Sequence, residues 1–120
     1  MAKILIVEDD RTLLKMYQTK LTLENFEVEA AYDGEEGLEK LKTTSPNLVL
    51  LDLAMPKLDG FEFLKKMMAD ASLKKIPVVV FSNLGQESDV EKAKDLGAKD
   101  YLIKANLTPK QVVEKIKQYL

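Results

Sequence analysis

The sequence predicts an α/β protein in which helices cover both faces of a five-stranded parallel sheet. Three observations lead to this prediction: five short apolar runs alternate with stretches of helical spacing, two of the runs are apolar at consecutive positions, and Gly, Pro and Asp fall between the elements. Strict alternation of strand and helix is typical of parallel sheets with right-handed crossovers. We therefore expect one doubly wound domain over residues 1–120, without an output domain.

The apolar runs are predicted to form the strands. The first is Lys3–Val7, and the second, Glu27–Ala31, alternates between polar and apolar residues, which is typical of an edge strand. The third and fourth, Leu48–Asp52 and Pro77–Phe81, are predicted to be strands buried on both faces. The fifth, Tyr101–Ile103, is bracketed by charges and predicts a second edge. This pattern suits the strand order 2-1-3-4-5, one of the common orders of doubly wound sheets.

Apolar residues recur at helical spacing between the runs, which predicts the helices. The predicted apolar stripes are Leu14, Tyr17 and Leu21; Gly37, Leu38 and Leu41; Phe61, Leu64 and Met68; Val90, Ala93 and Leu96; and Val112, Val113, Ile116 and Leu120. Asp33 precedes the second stripe and is followed by Glu35 and Glu36, so we expect it to cap that helix. Asp59-Gly60 is expected to begin the third helix.

Composition limits the chemistry that the chain can perform. It has 18 basic and 20 acidic side chains, and the resulting net charge of −2 argues against direct binding of nucleic acid. The chain contains no Cys and no His, which excludes a thiolate nucleophile, an imidazole base and the usual ligands of zinc or copper. No apolar stretch approaches the length that spans a bilayer, so we expect a cytoplasmic protein without membrane contact.

Polar residues are predicted to meet at one edge of the sheet. Glu8 and Asp9 follow the first strand, Asp52 ends the third, Ser82 follows the fourth and Lys104 follows the fifth. The carboxyl ends of parallel strands lie at the same edge, and the first and third strands are neighbours in the predicted order. Asp9 and Asp52 should therefore face each other. A hard divalent cation would relieve the repulsion between these carboxylates.

The acidic cluster is expected to bind Mg²⁺ or Mn²⁺, and of the two we expect Mg²⁺. An all-oxygen ligand set that leaves room for water suits these ions better than zinc, copper or a Ca²⁺ cage. We expect Asp9 and Asp52 to bind the ion directly, together with the backbone carbonyl of Ala54, while Glu8 acts through water.

Beside such an ion, Asp52 is suited to accept a phosphoryl group, because the cation offsets the repulsion between the carboxylate and the phosphoryl oxygens. The site then needs a second cation and a hydroxyl to contact those oxygens. Lys104 and Ser82 match these two requirements.

Four segments occur in order along the chain: ILIVEDD at residues 4–10, LLDLAMPKLDG at 50–60, PVVVFS at 77–82 and GAKDYLIK at 97–104. Together they resemble the receiver domain of two-component response regulators, and the resemblance covers the whole chain. It implies a flavodoxin-like fold. It also implies a signalling module that is not an enzyme, apart from its own phosphorylation and dephosphorylation.

The resemblance implies roles for individual residues and for partner proteins. Glu8 and Asp9 would be the acidic pair, Asp52 the phosphorylated residue, Ser82 the hydroxyl switch, Tyr101 the aromatic switch and Lys104 the phosphate-contacting lysine. The phosphoryl donor would be a histidine kinase or a phosphotransfer protein. A downstream protein would bind the face formed by the fourth helix, the fifth strand and the fifth helix.

One position departs from the receiver pattern. Receivers usually carry a cis proline after the lysine, whereas Lys104 is followed by Ala105. A cis bond before Ala costs about 2.5–4 kcal/mol, so we expect a trans bond here. The departure favours a second hypothesis, in which the chain is a receiver-fold scaffold that does not use phosphorylation.

Single features of the sequence allow different interpretations. The acidic run 8–10 could simply cap the first helix, and Tyr101 could be an edge-strand packing residue instead of a switch. A flavin or nucleotide site is disfavoured, because the turn after the first strand is acidic and would repel phosphate. An aspartate-nucleophile phosphatase normally has a second acid two residues after the nucleophile, where this chain has Ala54.

Overall fold

A computed structural model describes all residues from 1 to 120. Five parallel strands form one sheet in the order β2-β1-β3-β4-β5, which confirms the predicted fold class and strand order. The strands are β1 (Lys3–Val7), β2 (Glu27–Ala31), β3 (Leu48–Leu51), β4 (Val78–Ser82) and β5 (Asp100–Ile103). The helices are α1 (Arg11–Leu23), α2 (Gly34–Thr44), α3 (Gly60–Met68), α4 (Glu87–Asp95) and α5 (Pro109–Lys117), with a 3-10 turn at Lys104–Asn106.

The sheet separates two apolar clusters, because successive side chains of a strand point to opposite faces. Leu5 and Val7 of β1 join the cluster beneath α2, α3 and α4. Ile4 and Ile6 of the same strand join the cluster beneath α1 and α5. The helices therefore cover both faces, as expected for a doubly wound sheet.

The burial of the strands agrees with their predicted positions. Every residue of β3 and β4 is buried, whereas β2 and β5 contain half-buried or exposed residues. The boundaries differ slightly from those predicted, since β3 ends at Leu51 and β4 extends to Ser82. Asp52 is thus the first residue beyond its strand, where the loop can turn its carboxylate toward the edge of the sheet.

Two predicted helix stripes need correction. In α3 the fully buried side chains are Phe63, Leu64 and Met67, whereas Phe61 and Met68 lie at the margin of the same apolar cluster. Hydrophobic spacing is satisfied by either set, and packing against the sheet selects the first. Leu120 is 44% exposed, because α5 ends at Lys117.

A side chain caps the N-terminus of every helix except α4, where Gln86 makes no capping hydrogen bond. Asp33 accepts a hydrogen bond from the Glu36 N–H at the start of α2, as predicted. Asp59 accepts one from the Glu62 N–H at the start of α3. Thr108 and Gln111 form a reciprocal capping box at α5.

None of the helices has the length and the apolar character that a membrane-spanning helix needs.

Gly60 lies directly beneath the predicted phosphoacceptor. A Cβ added to Gly60 would fall 2.6 Å from the Asp52 carbonyl oxygen and 2.6 Å from the Leu53 Cα. The Gly60 N–H also donates to the Leu53 carbonyl at 2.9 Å. The start of α3 is therefore packed against the backbone of Asp52 with no room for a side chain.

We predict that Gly60→Ala lowers the free energy of unfolding by about 1–3 kcal/mol, since the added methyl group meets backbone atoms that cannot move aside. Gly85→Ala is the control, because its Cβ would lie 3.5 Å from the nearest atom, on Ile103. That control should change stability by less than about 0.5 kcal/mol. Urea unfolding of both variants checks the prediction, and equal midpoints for the two would contradict it.

Candidate functional site

Three acidic side chains meet at the carboxyl edge of β1 and β3. Val7 pairs with Leu51 in the register of these strands, so the residues that follow them emerge side by side. One carboxylate oxygen each from Glu8, Asp9 and Asp52 lie within 4.8 Å of one another. Glu8 and Asp52 are buried and Asp9 is exposed. The predicted proximity of Asp9 and Asp52 is confirmed.

Lys104 inserts its ammonium group into this cluster. Its Nζ lies 2.5 Å from Glu8 Oε1 and 3.2 Å from Asp52 Oδ2. Burial lowers the pKa of Lys104, but the hydrogen bond to Glu8 and the charges of Asp52 and Glu8 outweigh this effect and raise it overall. The lysine therefore remains charged, and it offsets part of the carboxylate repulsion that a divalent ion was predicted to relieve alone.

Both carboxylate oxygens of Glu8 have a partner, which the sequence did not reveal. Its second oxygen, Oε2, accepts a hydrogen bond from the Asp10 N–H at 3.1 Å, while Oε1 pairs with Lys104. Burial raises the pKa of Glu8 to about 7, with a further rise from the charge of Asp52, although both hydrogen bonds act in the opposite direction. Glu8 is thus an acid whose charge changes near neutral pH.

The three acidic residues after β1, at positions 8–10, have two different roles. Asp10 is the N-cap of α1, and its Oδ1 accepts a hydrogen bond from the Leu13 N–H at 3.1 Å. The capping interpretation is therefore right for Asp10. Glu8 and Asp9 belong to the carboxylate cluster instead.

The donor atoms of the cluster fit a hard divalent cation. All three side chains offer carboxylate oxygens, and Mg²⁺ and Mn²⁺ prefer such ligands. Ala54 lies two residues beyond Asp52, and its N–H makes a long contact of 3.4 Å with Asp52 Oδ1. The role of the Ala54 carbonyl as a further ligand stays a prediction.

Ser82 and Tyr101 both contact Leu84, which the sequence did not reveal. Ser82 is buried at the end of β4, and its Oγ accepts a hydrogen bond from the Leu84 N–H at 3.2 Å. The Tyr101 hydroxyl donates to the Leu84 carbonyl oxygen. Burial, followed by the charges of Asp89 and Asp52, raises the pKa of Tyr101 to about 12, so the hydroxyl keeps its proton.

Tyr101 also packs against the apolar cluster beneath α2, α3 and α4. Packing is therefore part of its environment, and its role as a switch stays a prediction. The peptide bond between Lys104 and Ala105 is trans, as expected, since the chain contains no cis peptide bond. The lysine nevertheless contacts Glu8 and Asp52.

Comparison with known proteins agrees with the geometry. A sequence model described as the response regulator receiver domain matches residues 4–117. The chemotaxis protein CheY of Treponema pallidum is 42% identical over 122 residues, which cover 98% of this chain and 82% of that protein. A probable transcriptional regulator, ycf27 of Porphyridium aerugineum, is 35% identical over 118 residues, or 98% of this chain.

The chain spans about half the length of several curated relatives, including 48% of the Porphyridium regulator. Among solved structures, the chemotaxis protein CheY4 of Vibrio cholerae has a TM-score of 0.93 at 28% identity, covering 100% of this chain and 99% of that one. The Mn²⁺-bound form of response regulator Rcp1 has a TM-score of 0.85 at 31% identity, covering 98% and 93%.

The raised pKa of Glu8 predicts how stability depends on pH in a buffer that contains EDTA. The folded chain holds the proton of Glu8 up to a pH of about 7, whereas the unfolded chain releases it near 4.5. Because the folded state binds more protons in this window, the Glu8 contribution to the free energy of unfolding should fall as pH rises through it. The fall should be about 3 kcal/mol.

The difference in unfolding free energy between wild type and Glu8→Gln isolates this contribution, since the amide does not titrate. Urea unfolding between pH 4.5 and 7 should show the wild type losing stability relative to Glu8→Gln as pH rises. Glu24→Gln is the control, because Glu24 is exposed and pairs with Lys117. Parallel curves for wild type and Glu8→Gln would exclude the predicted shift.

Proposed function

Because this chain belongs to the response regulator receiver domain family, we propose that Asp52 accepts a phosphoryl group from a histidine kinase or phosphotransfer protein. The chain is a receiver domain of two-component signalling. Receiver domains are signalling modules and interact with histidine kinases and with downstream targets. The proposal concerns which residues of this chain receive the phosphoryl group and how its presence changes the surface.

The observation that carries the proposal is the placement of Lys104 between Glu8 and Asp52. A buried carboxylate at the end of a central strand is costly unless a positive charge compensates it. The 3.2 Å contact between Lys104 Nζ and Asp52 Oδ2 provides that charge beside the proposed acceptor. A fixed cation at this position stabilises charge that develops during phosphoryl transfer.

In the proposed transfer, an Asp52 carboxylate oxygen attacks the phosphorus of a phosphohistidine on the donor protein. A P–O bond forms as the P–N bond breaks, and the electron pair of the broken bond stays on the imidazole nitrogen, which takes up a proton. Lys104 is positioned to pair with one phosphoryl oxygen. Ser82 can donate to another, because its Oγ only accepts in the present contact with Leu84.

Receiver domains bind Mg²⁺ through acidic residues, and we propose that Asp9, Asp52 and the Ala54 carbonyl hold it directly here, while Glu8 acts through water. Bound Mg²⁺ would supply charge that offsets the repulsion between Asp52 and the phosphoryl oxygens. Asp9 is the exposed member of the cluster, so it is the carboxylate that an incoming ion reaches first.

The shared contact at Leu84 supports a route from Asp52 to the surface. If the Ser82 side chain rotates so that Oγ itself moves toward a phosphoryl oxygen, the Leu84 N–H loses its partner. The loop that carries Leu84 then shifts, and with it the carbonyl that accepts from Tyr101. We propose that this shift turns Tyr101 inward and changes the face formed by α4, β5 and α5, which a downstream protein binds.

The scaffold hypothesis loses the feature that favoured it. The absence of proline after Lys104 does not displace the lysine, because Nζ lies within 3.2 Å of both buried carboxylates with a trans bond before Ala105. Phosphorylation of Asp52 is therefore the function that this geometry supports best.

We predict that acetyl phosphate and Mg²⁺ add one phosphoryl group to the wild-type chain, measured as intact mass. Asp52→Asn should abolish the added mass, because the amide is not a nucleophile toward phosphorus. Asp59→Asn is the matched control: it also removes a carboxylate, but Asn still caps α3, so labelling should persist. Labelling of Asp52→Asn, or none of the wild type, would refute the proposed acceptor.

We predict that Asp9→Asn weakens Mg²⁺ binding at least about tenfold, because it removes one anionic ligand from the cluster. The neighbouring Asp10→Asn should leave the affinity within about twofold, since Asn preserves the cap of α1 and Asp10 lies outside the cluster. Titration with MgCl₂, followed by amide NMR shifts, measures both. Equal affinities for the two variants would remove Asp9 from the ligand set.

A further inference from the structure

A side chain links the two loops that carry Ser82 and Lys104. Asn83 follows Ser82, and its Oδ1 accepts a hydrogen bond from the Ala105 N–H at 3.1 Å. Ser82 pairs with Ile103 in the register of β4 and β5, so the residues beyond these strands leave the sheet next to each other. The hydrogen bond therefore joins the β4–α4 loop to the turn at 104–106.

The Ala105 N–H needs an outside partner. Ala105 lies in the 3-10 turn Lys104–Asn106, and the first N–H groups of such a turn have no acceptor within it. Asn83 supplies the acceptor. Both residues are exposed, so water could satisfy the same N–H, and the hydrogen bond does little for stability. Its effect lies in the direction that it gives to the chain after β5.

The hydrogen bond from the Ala105 N–H to Asn83 holds the peptide that directly follows Lys104. The orientation of the chain at this point therefore bears on the position of Lys104. The Lys104 side chain reaches back from this point to Glu8 at 2.5 Å and to Asp52 at 3.2 Å. No proline ring restricts the backbone at residue 105, so the turn depends on contacts such as this one for its orientation. If the turn at 104–106 shifts as a unit, the Cα of Lys104 at its start moves with it, and the distances from Nζ to the two carboxylates change.

We propose that Asn83 is a positioning residue for Lys104. Through the Ala105 N–H it holds the peptide after Lys104, and it thereby fixes the distance between the ammonium group and the Ser82 hydroxyl. The inference rests on the proposed function, because its consequence for phosphoryl transfer requires Lys104 to contact the phosphoryl group. Asn83 itself does not touch the reacting atoms.

The test compares three variants of the full chain. Asn83→Ala removes the acceptor, Asn83→Asp keeps an oxygen at the same place, and Asn106→Ala makes the same truncation in the same turn at a side chain outside this hydrogen bond. In metal-free NMR, Asn83→Ala should speed solvent exchange of the Ala105 amide about fivefold and shift the Lys104 ammonium resonance. Asn83→Asp should retain the wild-type exchange rate, and Asn106→Ala should retain both signals.

The second measurement is the rate of Asp52 phosphorylation by acetyl phosphate with Mg²⁺. Asn83→Ala should lower this rate about fivefold, whereas Asn106→Ala should stay within about twofold of wild type. Unchanged NMR signals in Asn83→Ala overturn the proposal, and so does an unchanged rate when the wild type is labelled. If the wild type is not labelled, the proposed function fails, and the Lys104 resonance alone decides whether Asn83 positions the lysine.

Discussion

The buried pairing of Lys104 with Glu8 and Asp52 is the interaction on which the site depends. Carboxylates at the ends of β1 and β3 are removed from water by the fold itself, and their charges are tolerable only with compensation. Lys104, which follows β5, provides the compensating positive charge. It reaches the two carboxylates although β4 lies between β5 and the strands β1 and β3 that precede them. Parallel topology makes this arrangement reachable, since it brings three separate strand ends to one edge of the sheet.

The loops around the site are connected through few atoms. The Leu84 N–H donates to Ser82, and the Leu84 carbonyl accepts from Tyr101. Two side chains from neighbouring strands therefore bind the backbone of the same residue. Asn83 joins the same segment to the turn after Lys104. All three contacts thus involve two consecutive residues, Asn83 and Leu84.

Much of this could be predicted from the sequence, and the exceptions have physical causes. The apolar runs and their alternation with helices predicted a doubly wound sheet, because burial patterns depend on side chains. The strand order common to such sheets then predicted that Asp9 and Asp52 lie close together. The choice of Phe63 over Phe61 as the buried residue of α3 depends on how the helix rotates against the sheet. The contacts at Leu84 and Ala105 involve backbone groups, which every residue carries and which leave no pattern in a sequence.

Because Gly60 packs closely against its neighbours, the two sides of Asp52 differ in the space that they leave free. On one side the start of α3 presses against the aspartate's own backbone, with no space for even a methyl group. On the other side, residues 83–88 are exposed to solvent. If Asp52 is phosphorylated, as we propose, its backbone has no room to move toward α3, whereas the segment 83–88 is not enclosed by other residues. The proposed modification would therefore change the protein surface on the α4 side of Asp52 more readily than on the α3 side.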